Sequence, residues 1–303
     1  MSTPSAKMAY AQEAISILTP YKMRFEENMQ KAFSTFGPQN KVREAMEYAL
    51  KGDGKRFRPA LVYMIADALG NSIDVTPSCL AVEYFHTGSL IADDLPSMDN
   101  DDYRRGIPTT HKVFGEATAL LASYALIASG FEEIAKNADH LKGTSFEARA
   151  DAVARLAVLE AAKQMGNSGL LGGQCLDLYP ENLDRTGVLK IMQMKTVTLF
   201  DLPLTLGWLF GGGDMSKIDT VHQLALHFGL AFQIIDDLDD RQKDLEAKRA
   251  VNYANLFGTP EAVQVVQEQI ARVFDCMESL GIKSQPFSKL CRGLSVFSNT
   301  FIA

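Results

Sequence analysis

Two aspartate clusters carry the chemistry of this chain: Asp93, Asp94 and Asp99 in LIADDLPSMDNDDYRRG, and Asp236, Asp237 and Asp240 in FQIIDDLDD. Each follows an apolar run, where unpaired charge is costly to bury. Two such knots far apart in sequence suggest one site that holds several hard divalent cations, the usual means of neutralising a phosphorylated substrate. Arg104 and Arg105 follow the first cluster at once and add anion-binding chemistry beside the metal ligands. A solvated helix end is the ordinary meaning of an acidic cluster. Here it would have to account for two clusters, each behind a buried-looking helix.

The basic residues form a second set. Gly52-Asp53-Gly54-Lys55-Arg56-Phe57-Arg58-Pro59 puts three cations in a glycine-bounded loop ahead of a helix. Glycine lets the backbone approach an anion, and the helix N-terminus adds a favourable field. His86 lies seven residues before Asp93, two helical turns back on roughly the same face. A lone histidine on an apolar helix is ordinarily a satisfied core residue. Lys195 and Thr196 stand within KIMQMKTVTLFDLPL, and a lysine in so apolar a helix needs an anionic partner.

The elements that must position these residues are helical. Apolar residues recur at three- and four-residue steps over 6–34, 41–51, 59–70, 77–95, 116–137, 146–165, 185–211, 217–240 and 260–280. Strand-type alternation is scarce, and no polar linker divides the chain. These patterns predict one all-α domain over residues 1–303, a large helical bundle with 77–95 and 217–240 near its centre. Thr76-Pro77 reads as an N-cap with proline in the first turn. Pro96 ends or kinks the helix between Asp94 and Asp99, so a loosened turn can bring both ends of that motif to one side. Asp236 and Asp240, at i and i+4, share a face if their helix continues.

Composition narrows the function classes. A net charge of −7 and 22% charged residues argue against non-specific nucleic-acid binding. The cysteines at 79, 175, 276 and 291 show no metal-ligand spacing and read as reduced thiols, which favours a cytoplasmic location. The N-terminus lacks signal-peptide character, and no apolar run approaches the roughly 20 residues needed to span a membrane.

Taken together, GKRFRP, DDLPSMDNDDYRRG, GGQCLDL at 172–178, Lys195-Thr196 and FQIIDDLDD resemble, in order, the motifs of the trans-prenyl diphosphate synthases, the farnesyl and geranylgeranyl diphosphate synthases. The resemblance implies an isoprenoid-synthase fold with a deep central cavity, and a homodimer. It implies that Asp93, Asp99 and Asp236 carry Mg²⁺, three ions per site, with Asp94, Asp237 and Asp240 as alternative ligands or supports. Arg104 and Lys195 would hold an allylic diphosphate. Lys55, Arg58, His86 and Arg105 would bind isopentenyl diphosphate. Gln174, Asp177, Thr196 and Gln233 would support the cation and the metal shell. The product expected is geranylgeranyl diphosphate (C20); a farnesyl (C15) synthase and a catalytically silent regulatory subunit are the alternatives. A class I terpene cyclase shares the DDxxD motif but ordinarily lacks the isopentenyl site that GKRFRP and Arg105 imply.

The chain also departs from that pattern. After the second acidic motif it runs DDLDDRQKDLEAKRAVNYANLFG, shorter than the family's loop, without the Gly-Lys pair and with Asn252-Tyr253-Ala254 in place of Thr-Tyr-Pro. Lys243 or Lys248 could supply the missing cation. Ala92 replaces a common histidine, and the SNTFIA ending lacks basic residues. Gly88 and Ser89 are small where farnesyl-producing relatives often carry an aromatic, which leaves Phe85 and Tyr84 as deeper candidates for a product-limiting floor. The plainer role for Gly88 is close helix packing.

Overall fold

In the computed structural model, residues 4–246 and 249–302 are described, and they form an all-α bundle. The first helices are α1 (Pro4–Ala32), α2 (Lys41–Lys51), α3 (Phe57–Leu69) and α4 (Thr76–Asp93). A two-residue hairpin, β1 (Tyr103–Arg104) and β2 (Ile107–Pro108), leads into α5 (Thr110–Phe114) and α6 (Glu116–Asp139). Next come α7 (Ala150–Met165), α8 (Leu170–Leu178), α9 (Arg185–Met192) and α10 (Thr198–Phe210). The chain ends with α11 (Ile218–Asp239), α12 (Arg241–Glu246), α13 (Tyr253–Phe257), α14 (Thr259–Leu280) and α15 (Gln285–Asn299). Among the described residues no helix is long and apolar enough to cross a membrane.

Helix α4 is the central element. Most of its residues are buried, and it packs along α6 on one side and against α3 and α10 on the others. Helix α10 is apolar on nearly every face and lies so close to α3 that a Cβ at Gly207 would stand 2.7 Å from the Val62 carbonyl oxygen. An aromatic cluster of Phe57, Phe200, Phe228 and Phe232 fills the space between α3, α10 and α11, directly behind the second acidic motif. Such rings contribute large apolar area and fix the angle between the helices that carry the site.

Several boundaries differ from the periodicity reading, each for a local reason. Residues 185–211 are not one helix: a π turn, Gln193–Val197, separates α9 from α10. Thr76 is the first residue of α4 rather than its N-cap. Its backbone N–H donates to Asp74 Oδ1 at 2.9 Å, and its hydroxyl sits 3.1 Å from that of Tyr63. The hairpin at 103–108 and helices α8 and α15 lie outside the predicted segments. Gly88 takes the plainer of its two roles. A Cβ there would meet the Ser123 carbonyl oxygen at 3.1 Å and Leu126 and Ile127 at 3.4 Å, so it faces α6 as a helix-crossing residue. Ser123 Oγ donates to the Gly88 carbonyl at 2.7 Å across that crossing. A bulky residue at 88 therefore meets backbone before it meets a product chain.

Away from the acidic motifs, α7, α10 and α11 share a polar knot. His222 Nδ1 donates to Asp201 Oδ1 at 2.8 Å, Thr205 Oγ1 donates to the same oxygen at 2.8 Å, and Glu160 lies 3.4 Å from His222 Nε2. Burial by itself lowers the His222 pKa, but the Asp201 hydrogen bond and the charges of Asp201 and Glu160 outweigh it and raise the value. A raised folded-state pKa contributes stability that is present below the unfolded value, ~6.5, and is lost as pH rises through the folded value. Thermal melts of the wild type and of His222→Gln between about pH 6 and about pH 9 should show the wild type losing its advantage as pH rises. An advantage that stays constant across that range contradicts the charged-histidine account.

Candidate active site

Helix α4 ends at the first acidic motif because Pro96 cannot continue it, and the following turn closes back. Asp99 N–H donates to the Asp93 carbonyl at 2.9 Å, Asn100 N–H donates to that of Leu95 at 3.1 Å, and Asn100 adopts a left-handed φ of 53°. The turn brings Asp99 near enough that its charge, with that of Asp94, adds to the effect of burial in raising the Asp93 pKa. Among the described residues the Asp93 carboxylate accepts one hydrogen bond, from Gln174 Nε2 at 2.6 Å.

The six aspartates fall into two kinds. Asp94 is buried and turned inward, where it accepts both Nε and a terminal nitrogen of Arg104, which also reaches Asp101 at 2.9 Å. Asp237 is buried as well. Its oxygens accept from Gln233 Nε2 at 2.7 Å and from the Tyr253 backbone N–H at 2.6 Å, while burial pushes its pKa up to about 6. These two carboxylates are anchors. The carboxylates of Asp99 and Asp236, by contrast, make no hydrogen bond or ion pair with the described residues. Burial, reinforced by Asp237, Asp240 and Asp239, pushes Asp236 up to about 7 against the field of Lys55. Asp240 lies 3.7 Å from Lys243, on the exposed side of the helix end.

Gln174 and Lys195 reach this face from α8 and the π turn. Lys195 Nζ pairs with Asp177 Oδ2 at 2.5 Å, and Thr196 is half-buried in the same turn. The approach depends on Gly173: a Cβ there would fall 2.3 Å from Lys195 N and 2.5 Å from Met194 C. The glycine pair ahead of Gln174 is the sequence signal for that contact, and reading GGQCLDL for its polar residues alone passes over it.

The basic residues gather on the neighbouring side of α4. Arg58 Nη1 donates to His86 Nε2 at 3.1 Å, and Arg105 Nη2 lies 3.4 Å from the same nitrogen. An arginine only donates, so the His86 proton sits on Nδ1, a buried atom without a partner among the described residues. Burial, then Arg58 and Arg105, hold the His86 pKa well below its ordinary value, and the ring is neutral. Burial, with help from Arg105, pulls even Arg58 down to about 10. Lys55 makes no hydrogen bond or ion pair with the described residues. Arg105 and Gly106 form the tip of the hairpin, both with positive φ, so Arg105 holds a strained backbone that carries its guanidinium against Gly54. Cations packed this closely around a neutral histidine make a local environment that favours an anion.

Arg56 does not belong to that open set, being turned into the protein. Arg104 and Lys195 are each held by carboxylates, Arg104 by Asp94 and Asp101 and Lys195 by Asp177, so an anion arriving there would share or displace those partners. Lys243 is exposed, and Lys248 lies outside the described residues. Acceptor-only carboxylates that are raised by burial and have few partners suit hard cations. Among the described residues no three acidic, histidine or cysteine groups close on one point. Mg²⁺ commonly uses one or two carboxylates plus substrate phosphates, and this donor set fits that mode.

The sequence pattern of the family described as Polyprenyl synthetase matches residues 39–252, from before the basic loop to beyond the second acidic motif. The chain belongs to the polyprenyl synthetase family. Among its relatives, the heterodimeric geranylgeranyl pyrophosphate synthase large subunit 2 of Arabidopsis thaliana is 39% identical over 236 residues, 75% of this chain and 60% of that protein. A chloroplastic geranylgeranyl pyrophosphate synthase of Catharanthus roseus is 39% identical over 243 residues, 75% of this chain and 66% of that protein. The polyprenyl synthetase chain thus spans about 60% of the length of the curated relatives it matches. Of solved structures, a geranyltransferase from Legionella pneumophila superposes with a TM-score of 0.78 at 28% identity, covering 97% of this chain and 99% of that one. An FPP/GFPP synthase from Zymomonas mobilis gives 0.76 at 29% identity, covering 96% and 100%. The all-α fold is that of these polyprenyl synthetase relatives.

Proposed function

We propose that this polyprenyl synthetase condenses isopentenyl diphosphate with an allylic diphosphate to make a trans-prenyl diphosphate, with geranylgeranyl diphosphate as the product. The observation that carries this reading is the pair of adjoining sites on α4. One has the under-partnered carboxylates of Asp93 and Asp99 at the end of α4, with Asp236 on α11 in the field of Lys55 and Arg58; the other is a cluster of cations at Lys55, Arg58 and Arg105 around neutral His86. Two anionic substrates need two such sites side by side.

Asp93, Asp99 and Asp236 would hold Mg²⁺, which when bound supplies positive charge to a departing diphosphate. Lys195 and Arg104 steady the allylic diphosphate while its carbon–oxygen bond breaks and the electron pair leaves with the diphosphate. Lys55, Arg58 and Arg105 hold isopentenyl diphosphate so that its terminal alkene carbon stands against the allylic cation and forms the new carbon–carbon bond. A proton then leaves the adjoining methylene for the released diphosphate. The apolar wall of Phe57, Phe200 and Phe232 excludes the water that would quench the cation.

Product length rests on the small Ser89, which shares the face of His86 and Asp93 and keeps its hydroxyl on the His86 carbonyl at 2.8 Å. The names of the relatives support a C20 product. Chain-length analysis after incubation with C5, C10 and C15 allylic primers tests this: accumulation at C20 is expected, and a product that stops at C15 overturns the assignment. A homodimer is supported by α6, which exposes Leu121 at 53% and Tyr124 at 60% on one side. A cytoplasmic location is supported by four free cysteines.

A further inference from the structure

We propose that Arg56 is a positioning residue for the isopentenyl diphosphate site, a buried strut that fixes where Lys55 and Arg58 stand; the proposal rests on the reading of that site given above. Of the three cations in the loop, only Arg56 is turned inward, with 3% of its surface exposed. Its guanidinium gathers acceptors from three helices. Nε donates to Glu26 of α1 at 2.7 Å and Nη1 to Glu83 of α4 at 2.5 Å. Nη2 donates to the carbonyls of Leu50 and Gly52, at the end of α2, at 2.5 Å and 3.1 Å. Four planar N–H bonds in fixed directions are something only arginine provides.

The backbone shows what the clamp achieves. Arg56 caps α3 in the left-handed region, φ 49° and ψ 37°, a conformation that is unfavourable for a side chain of this size. Such strain persists where the surroundings over-determine it. The reversal at 56 leaves Lys55 exposed before it and Arg58 two residues on, beside His86. Gly54 completes the stack: a Cβ there would fall 2.6 Å from Arg105 Nη1 and 3.0 Å from Arg56 Nη1. The buried Arg56 thus sets the height at which Lys55 and Arg58 stand. Through Glu26 it ties that height to α1, an element that supplies none of the anion-binding cations.

The test uses the full chain and two readouts. Inorganic diphosphate is titrated into the protein in metal-free buffer, and steady-state kinetics give KM separately for isopentenyl diphosphate and for the allylic substrate. Arg56→Lys keeps the charge and loses the fork. It should weaken diphosphate binding and raise KM for isopentenyl diphosphate about tenfold, while kcat and the allylic KM change less than about twofold. Equal rises in both KM values, or unchanged diphosphate binding, overturn the proposal. If Arg56→Lys does not fold, Glu26→Gln decides, because its carboxylate is partly exposed and reaches only Nε. A selective loss of about threefold supports the strut, and no change overturns it. Wild-type protein that binds diphosphate yet condenses nothing defeats the functional reading alone, since the titration still reports on Arg56.

Discussion

Asp93→Asn should cut condensation turnover by about a thousandfold while the protein melts no earlier than the wild type. The first effect follows from removing the charge that ends α4 at the carboxylate face. The second follows from the environment of that charge. Burial, with Asp99 and Asp94 nearby, raises the Asp93 pKa, so folding disfavours its ionised form. An acid with a raised folded-state pKa is destabilising when charged, and a neutral isostere relieves that cost. The amide oxygen can still accept from Gln174. Turnover measured beside a thermal melt checks both halves. A variant that loses activity only because it unfolds would show that Asp93 holds the structure rather than the chemistry.

Gly173→Ala should be nearly as damaging, although glycine has no side chain with which to bind or react. Its Cβ would stand 2.3 Å from Lys195 N and 2.5 Å from Met194 C, both backbone atoms, so α8 must move away from the π turn. That shift breaks the Asp177–Lys195 pair at 2.5 Å and the Gln174–Asp93 bond at 2.6 Å together. A misplacement of about 1 Å commonly costs about a hundredfold in rate, and overpacking costs about 1–3 kcal/mol in stability. Kinetics beside denaturant unfolding would show both losses. Wild-type values in both would mean that α8 and the π turn do not meet as tightly as described.

These two positions mark what was legible in the sequence. Asp93 stood out in the sequence because a carboxylate pair behind an apolar helix is costly to bury, and the structure sets it where Gln174 reaches it from α8. The helical bundle was legible for a similar reason, since three- and four-residue apolar steps persist through every long segment. Gly173 could not be read that way. Its requirement comes from a backbone 22 residues further along, and no local pattern records that approach. The π turn at Gln193–Val197 was hidden too, because one extra residue in a helix barely disturbs an apolar period.

The difference between neighbouring aspartates was hidden for another reason. Asp93 and Asp94 are adjacent, yet one ends at the open face and the other is spent on Arg104. A helix sends successive side chains about 100° apart, so adjacency in sequence means opposite duties in space. Asp236 and Asp237 divide in the same way: Asp237 accepts the Tyr253 N–H and so ties the shortened segment after the second motif to α11. Asn252 reinforces the tie by donating to the Asp237 carbonyl at 2.9 Å and to Asp244 at 2.8 Å. The unusual Asn252-Tyr253 sequence is therefore built into the base of the motif. The arginines of GKRFRP separate too, with Arg56 facing in and Arg58 facing His86.

The central claim is that this chain alone holds two diphosphate substrates on α4 and joins them. Its most direct test is incorporation of labelled isopentenyl diphosphate by the purified protein, with an allylic primer, in the presence and absence of Mg²⁺. The account predicts a labelled prenyl diphosphate that forms only with Mg²⁺ and only with a primer. A folded protein that incorporates no label with any primer at any Mg²⁺ concentration would contradict it, and would leave the chain as the silent partner of another synthase.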